Sequence, residues 1–182
     1  MALDETKFSE MILLIGRRSD GDPSYGSIKL NKLLFLADFA AYRRFGRSIS
    51  GARYQKLQYG PAPRELIPVR NRLIDDGRAV ELSRNHFGNV QKRLTPVKEP
   101  EISALSGEEV AILDEIIQSY REASATEASY ISHDFIGWKY ALLGEDIPYE
   151  TALLVERESS VEDFAEGERL NRKYGWTVAS AR

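Results

Sequence analysis

The chain has 182 residues, 42% hydrophobic and 29% charged, with a formal net charge of −3; these values suit one folded domain with a sizeable core and exclude a chain disordered throughout. It has no cysteine, which excludes disulfides, thiolate nucleophiles and Cys-ligated zinc together and fits a reducing cytoplasm. The longest apolar run near the N-terminus, residues 11–15, is far short of the ~20 residues a membrane span needs, and the acidic Asp4, Glu5 and Glu10 before it do not fit a secretory signal. A cytoplasmic protein with no membrane partner is expected.

Residues 4–18 read as a first helix, because Phe8, Met11, Ile12 and Ile15 recur at three- and four-residue spacing while Glu10, Arg17 and Arg18 lie off that stripe. Ser19-Asp20-Gly21-Asp22-Pro23 breaks it. A stronger helix is predicted over 27–45. Its apolar positions Leu30, Leu33, Leu34, Ala37, Phe39 and Ala41 cover a wide face, which places it at the centre of the core, and Gly46 is its expected stop.

Residues 53–59 then look extended, with Tyr54, Leu57 and Tyr59 favouring a strand. Gly60-Pro61-Ala62-Pro63 is expected to end that strand, since proline cannot donate to a ladder. A helix over about 64–76 follows, closed by Gly77, with Pro68 confined to its first turn or kinking it. Residues 79–84 and 89–94 form a predicted hairpin around Asn85-His86-Phe87-Gly88, and 95–100 reads as a linker.

Ser106-Gly107-Glu108-Glu109 and Ser124-Ala125-Thr126-Glu127 are capping boxes, each opening a helix. One or two further helical turns are expected around Trp138, and Ser160 with Asp163 starts a last helix to about Lys173, followed by a frayed tail. The expected fold class is therefore mainly α (α+β), a compact helical domain with a small antiparallel β element. The expected division is a domain over 1–150 and a helical extension and tail over 151–182.

The net charge hides an uneven distribution. Residues 1–94 carry 17 Lys and Arg against 10 Asp and Glu, and residues 95–182 carry 8 against 18. Either the halves pack together and offset each other, or the basic half faces an anionic partner.

The residues offer little chemistry. Gly46-Arg47-Ser48-Ile49-Ser50-Gly51 lacks the Lys-Ser/Thr of a phosphate loop and leaves a helix, not a strand. His86 and His133 are the only histidines, too few for a recognisable metal set without thiols. His133-Asp134 could form an oriented base, but neighbours on a helix point in different directions, and capping the next helix is the simpler role. No catalytic, cofactor or metal residues are assigned, and an enzyme is not expected. The element order also has the outline of a winged helix, with Arg64, Arg70, Arg72 and Arg78 on or beside a reading helix and Arg84, Lys92 and Arg93 on the wing; a DNA-binding regulator using the basic N-terminal half is the alternative reading.

Lys29-Leu30-Asn31-Lys32-Leu33-Leu34-Phe35-Leu36-Ala37-Asp38-Phe39 resembles the signature helix of the Panacea domain, also called the SocA-like antitoxin domain. The resemblance continues through residues 46–54, through Tyr59-Gly60-Pro61-Ala62-Pro63, and through Ser132-His133, Trp138 and residues 144–149. It covers roughly residues 5–150. It implies a bacterial or phage antitoxin that binds a cognate toxin, often encoded by a neighbouring gene, either neutralising it or delivering it to a protease. It implies no catalytic residues. Lys32, Asp38, Arg53, Tyr59, Gly60, Pro61, His133 and Trp138 are the candidates for partner contact or for holding the motif together. Lys32 and Asp38, polar groups on so apolar a helix, are expected to hold a buried network or to touch the partner.

Overall fold

Helix α1 (Glu5–Arg18) begins where the Asp4 side chain accepts a hydrogen bond from the Lys7 N–H at 3.0 Å. Phe8, Met11, Ile12 and Ile15 are buried as their spacing predicts. Glu10, expected off the stripe, is buried too: it accepts bonds from the Arg78 guanidinium at 2.8 and 3.1 Å and from the Glu101 N–H at 2.7 Å. Those partners offset the desolvation of its carboxylate. The structure is a computed structural model and describes residues 2–86, 89–154 and 160–175.

Helix α2 (Ser27–Phe45) is central, packed against α1 and against elements from both halves of the chain, and ends at Gly46, whose φ of 71° is the left-handed geometry of a helix stop. Strands β1 (Tyr54–Leu57) and β2 (Gly60–Pro63) then form a tight antiparallel hairpin. This corrects the expectation that Gly60-Pro61-Ala62-Pro63 ends the strand; it is the second strand. Tyr54 pairs with Pro63 and Lys56 with Pro61, yet Tyr54 and Lys56 turn their backbone groups the other way. The Ile147 N–H donates to the Tyr54 carbonyl at 2.7 Å, the Lys56 N–H to Glu145, and the Gly144 N–H to Lys56. Ladder bonds alternate along an antiparallel pair, so both prolines fall where β2 needs no donor.

Helix α3 (Leu66–Asp75) starts two residues later than predicted, which puts Pro68 in its first turn, where no N–H is needed. Strands β3 (Ala79–His86) and β4 (Asn89–Pro96) are longer than expected: Asn85 and His86 belong to β3, and Thr95 and Pro96 belong to β4, not to a linker. The predicted tip at Phe87 and Gly88 lies outside the described residues.

A short 3-10 turn (Ile102–Ala104) leads to α4 (Gly107–Ser119) and α5 (Ala125–His133), both opened by the predicted capping boxes. Helix α6 (Ile136–Tyr140) is brief. A 3-10 turn (Tyr149–Leu153) crosses residue 150 and buries Ala152 in the core. Helix α7 (Val161–Tyr174), capped by Ser160 and Asp163, buries none of its residues. The predicted frayed tail lies almost entirely outside the described residues. The fold is mainly α, with two small antiparallel two-stranded sheets. Among the described residues no helix is long and apolar enough to cross a membrane.

Basic and acidic halves pack against each other. Lys7 pairs with Glu109 at 2.6 Å, Arg17 with Glu99, Arg18 with Asp114, Arg44 with Glu115 and Arg64 with Asp146. Glu109, the expected capping-box carboxylate, is in addition a buried ion-pair partner.

Candidate functional site

Two buried polar groups of α2 organise the signature residues, one turn and a half apart. Asp38 is fully buried. Its Oδ1 accepts the backbone N–H groups of Ile49 and Ser50, both at 2.8 Å; its Oδ2 accepts the Ser50 hydroxyl at 2.5 Å and the Tyr54 hydroxyl at 2.7 Å. Burial pushes this carboxyl above the ordinary range and the four donors pull it back. The Tyr54 phenol is raised well above its ordinary value by burial and by the Asp38 charge. Around it, Phe35, Phe39, Phe135 and Tyr149 pack as an aromatic cluster. Asp38 therefore fixes the loop after α2 and the first residue of β1.

Lys32 is the second group. It is 2% exposed, and among the described residues its ammonium makes one hydrogen bond, to the Pro61 carbonyl at 3.2 Å. Burial lowers it to about 8. Gly60 closes over it with φ of 102°: a Cβ there would stand 2.7 Å from Lys32 Nζ and 2.8 Å from Ser132 Oγ. The tight hairpin thus brings Gly60 and Pro61 onto Lys32, and α5 brings Ser132 to the same point.

The next residue, His133, stacks on Trp138 of α6 at 3.9 Å between centroids and 7° between planes. Lys56 Nζ lies 4.3 Å from the Trp138 ring centre and donates to the Lys139 carbonyl. His133 Nε2 and Trp138 Nε1 are both sealed from solvent without a hydrogen-bond partner among the described residues. Burial, then the charges of Lys32 and Lys56, hold His133 below its ordinary value and keep it neutral. His133 is the last residue of α5, and Asp134 follows as its C-terminal cap; neither starts the next helix, which corrects the expected capping role.

The structure so brings together Lys32, Gly60, Pro61, His133 and Trp138. Tyr59 is exposed at the adjoining turn, while Asp38 sits deeper on the same helix. Arg53 lies apart and on the surface, paired with Glu65 at 2.9 Å. Sequence reasoning missed Lys56 and gave Ser132 no role of its own. The signal for Lys56 was its two-residue spacing from Tyr54, which puts both on one face of the strand.

Other chemistry is sparse. Among the described residues no group of three or more His, Asp or Glu is placed to hold a metal ion. Most cations of the DNA-reading alternative are committed within the fold: Arg64 to Asp146, Arg70 and Lys92 to Glu81, Arg72 to Glu5, Arg78 to Glu10. Arg93 is buried on the carbonyls of Ser19, Asp20 and Asp22.

A comparison with protein families finds a match to the model described as antitoxin SocA-like, Panacea domain, over residues 30–139. That span contains Lys32, Gly60, Pro61, His133 and Trp138. No curated protein and no solved structure matches the chain.

Proposed function

Because the chain belongs to the antitoxin SocA-like, Panacea-domain family, we propose that it is an antitoxin that binds a cognate toxin protein directly, and that it does so without catalysing a reaction. The observation that carries this reading is the family match over the residues that build the Lys32–Gly60–Trp138 cluster. On this reading the protein works in the cytoplasm of a bacterium or of a phage-infected cell, and its toxin is encoded beside it. It silences the toxin by occupying its surface or by handing it to a protease. Large hydrophobics exposed on and beside α5 and α6, among them Tyr130, Tyr140, Leu142 and Leu143, supply contact area of the kind protein interfaces use. The winged-helix alternative gains no comparable support, since most of its cations already have partners within the fold.

Co-expression tests the reading. The product of the adjacent reading frame should be toxic alone, harmless when this chain is present, and should co-purify with it. Undiminished toxicity, with both proteins soluble, would refute it.

A further inference from the structure

The cluster around Trp138 is positively charged, poor in partners and close to the surface. Lys32 and Lys56 have no carboxylate within ion-pair distance among the described residues; each bonds only to a backbone carbonyl. The acid next to His133, Asp134, is strongly exposed and leans toward Lys139 at 3.9 Å. Two ring nitrogens, His133 Nε2 and Trp138 Nε1, are sealed and unpaired, although both rings are themselves partly exposed. Buried polar groups in folded proteins nearly always have partners, so two orphans on stacked rings ask for one. Both can present N–H donors, His133 when its proton sits on Nε2.

The rim of this spot is apolar and aromatic. Tyr59 precedes the glycine that covers Lys32, and the Tyr130 ring meets His133 edge-on at 6.3 Å. Tyr59, Tyr130 and Tyr140 are all well exposed. On the far side of β1, the exposed Leu142 and Leu143 lead into the Gly144 and Glu145 backbone that pairs with Lys56. A charged, poorly hydrated spot ringed by exposed aromatics is how an interface receives one acidic anchor residue.

We propose that the face formed by the β1–β2 turn, the end of α5 and α6 is the docking surface for the toxin, and that it takes a carboxylate side chain of that partner at the nitrogen-bearing edges of the stacked His133 and Trp138 rings, in the field of Lys32 and Lys56. This rests on the toxin-binding reading. The commitment to a carboxylate follows from complementarity: two N–H donors carried on rings stacked 3.9 Å apart match its two oxygens, and a single negative charge suffices beside a neutral imidazole.

Sodium acetate is the probe. Titrated into the full chain at constant ionic strength against sodium chloride, it should move the Trp138 indole N–H and the His133 ring nitrogens saturably in NMR spectra. Lys32→Met should weaken that response at least tenfold while leaving the folded spectrum intact, and in the complex with the adjacent gene's product the response should disappear because the site is filled. Acetate acting no differently from chloride, or on the variant as on the wild type, would overturn the anion site. A response to inorganic phosphate stronger than to acetate would overturn the carboxylate assignment. A complex in which acetate still moves Trp138 would overturn the docking face and leave toxin binding standing. Failure to form any complex removes the toxin reading, and the docking face with it, whatever acetate does.

Discussion

The Lys32 ammonium donates to the carbonyl of Pro61 at 3.2 Å, so a charge on the central helix is capped by a strand built half of proline. The bond is possible because Pro61 sits at a non-ladder position of β2, where its carbonyl points away from β1. One hydrogen bond does not repay the burial of an ammonium, and its lowered value near 8 records that imbalance.

The imbalance has a sign. The native state releases the Lys32 proton near 8, the unfolded chain at the ordinary value of 10.5. Between those values the unfolded chain binds more protons, so the penalty is fully present below about pH 8 and is relieved as pH rises toward 10.5. Lys32→Met should therefore stabilise the protein at pH 7, by on the order of 2 to 3 kcal/mol. The difference from wild type should shrink through that window. Urea unfolding of both proteins at pH 7 and pH 9.5 measures it.

Asp38 should behave oppositely. Asp38→Asn keeps an acceptor for Ile49 and Ser50 but turns an amide toward the hydroxyls of Ser50 and Tyr54, which donate to Oδ2. Two buried donors are left without acceptors, and a loss of about 2 to 4 kcal/mol is expected by thermal or chemical unfolding. Tyr54→Phe removes a single bond to a charged group and should cost about 1.5 to 3 kcal/mol.

Gly60 is constrained twice, by φ of 102° and by the approach of Lys32 and Ser132. Gly60→Ala should destabilise by about 2 to 3 kcal/mol. It should also displace the β1–β2 turn, which appears as altered amide shifts for Gln58 and Tyr59.

His133 sets an acid limit. Its native value lies below the ordinary 6.5, because of burial and then the nearby lysine charges. Below pH 6.5 the unfolded chain takes up the proton first, so stability falls as pH falls. His133→Gln should remove that part of the acid dependence and leave stability above pH 7 nearly unchanged. Thermal midpoints measured from pH 5 to pH 7.5 decide the point.

Much of the fold is legible in the residues. The apolar stripes of α1 and α2, the stop at Gly46 and the three capping boxes are local signals, and local signals survive folding. The failures are non-local. Glu10 reads as solvated until Arg78 and Glu101 arrive from distant chain. Residues 60–63 read as a strand end because a proline rule was applied without knowing which edge carries the ladder. The pairing of Gly144 and Ile147 with the far edge of β1 decides that, and no local pattern announces it. At the site, Lys32, His133 and Trp138 were separable by motif but not joinable: only the hairpin and α5 together show that they meet. Lys56 read as one more cation on a basic half, and only its two-residue spacing from Tyr54 set it apart.

The most direct test of the account is calorimetric titration of the purified chain with the product of the adjacent gene, alongside Tyr130→Ala and Tyr140→Ala in the same chain. Saturable binding that weakens at least tenfold in those variants, while Ile67→Ala on the exposed side of α3 binds as the wild type does, is the result predicted. No heat of binding between two folded proteins would contradict the claim that this chain acts by holding a toxin.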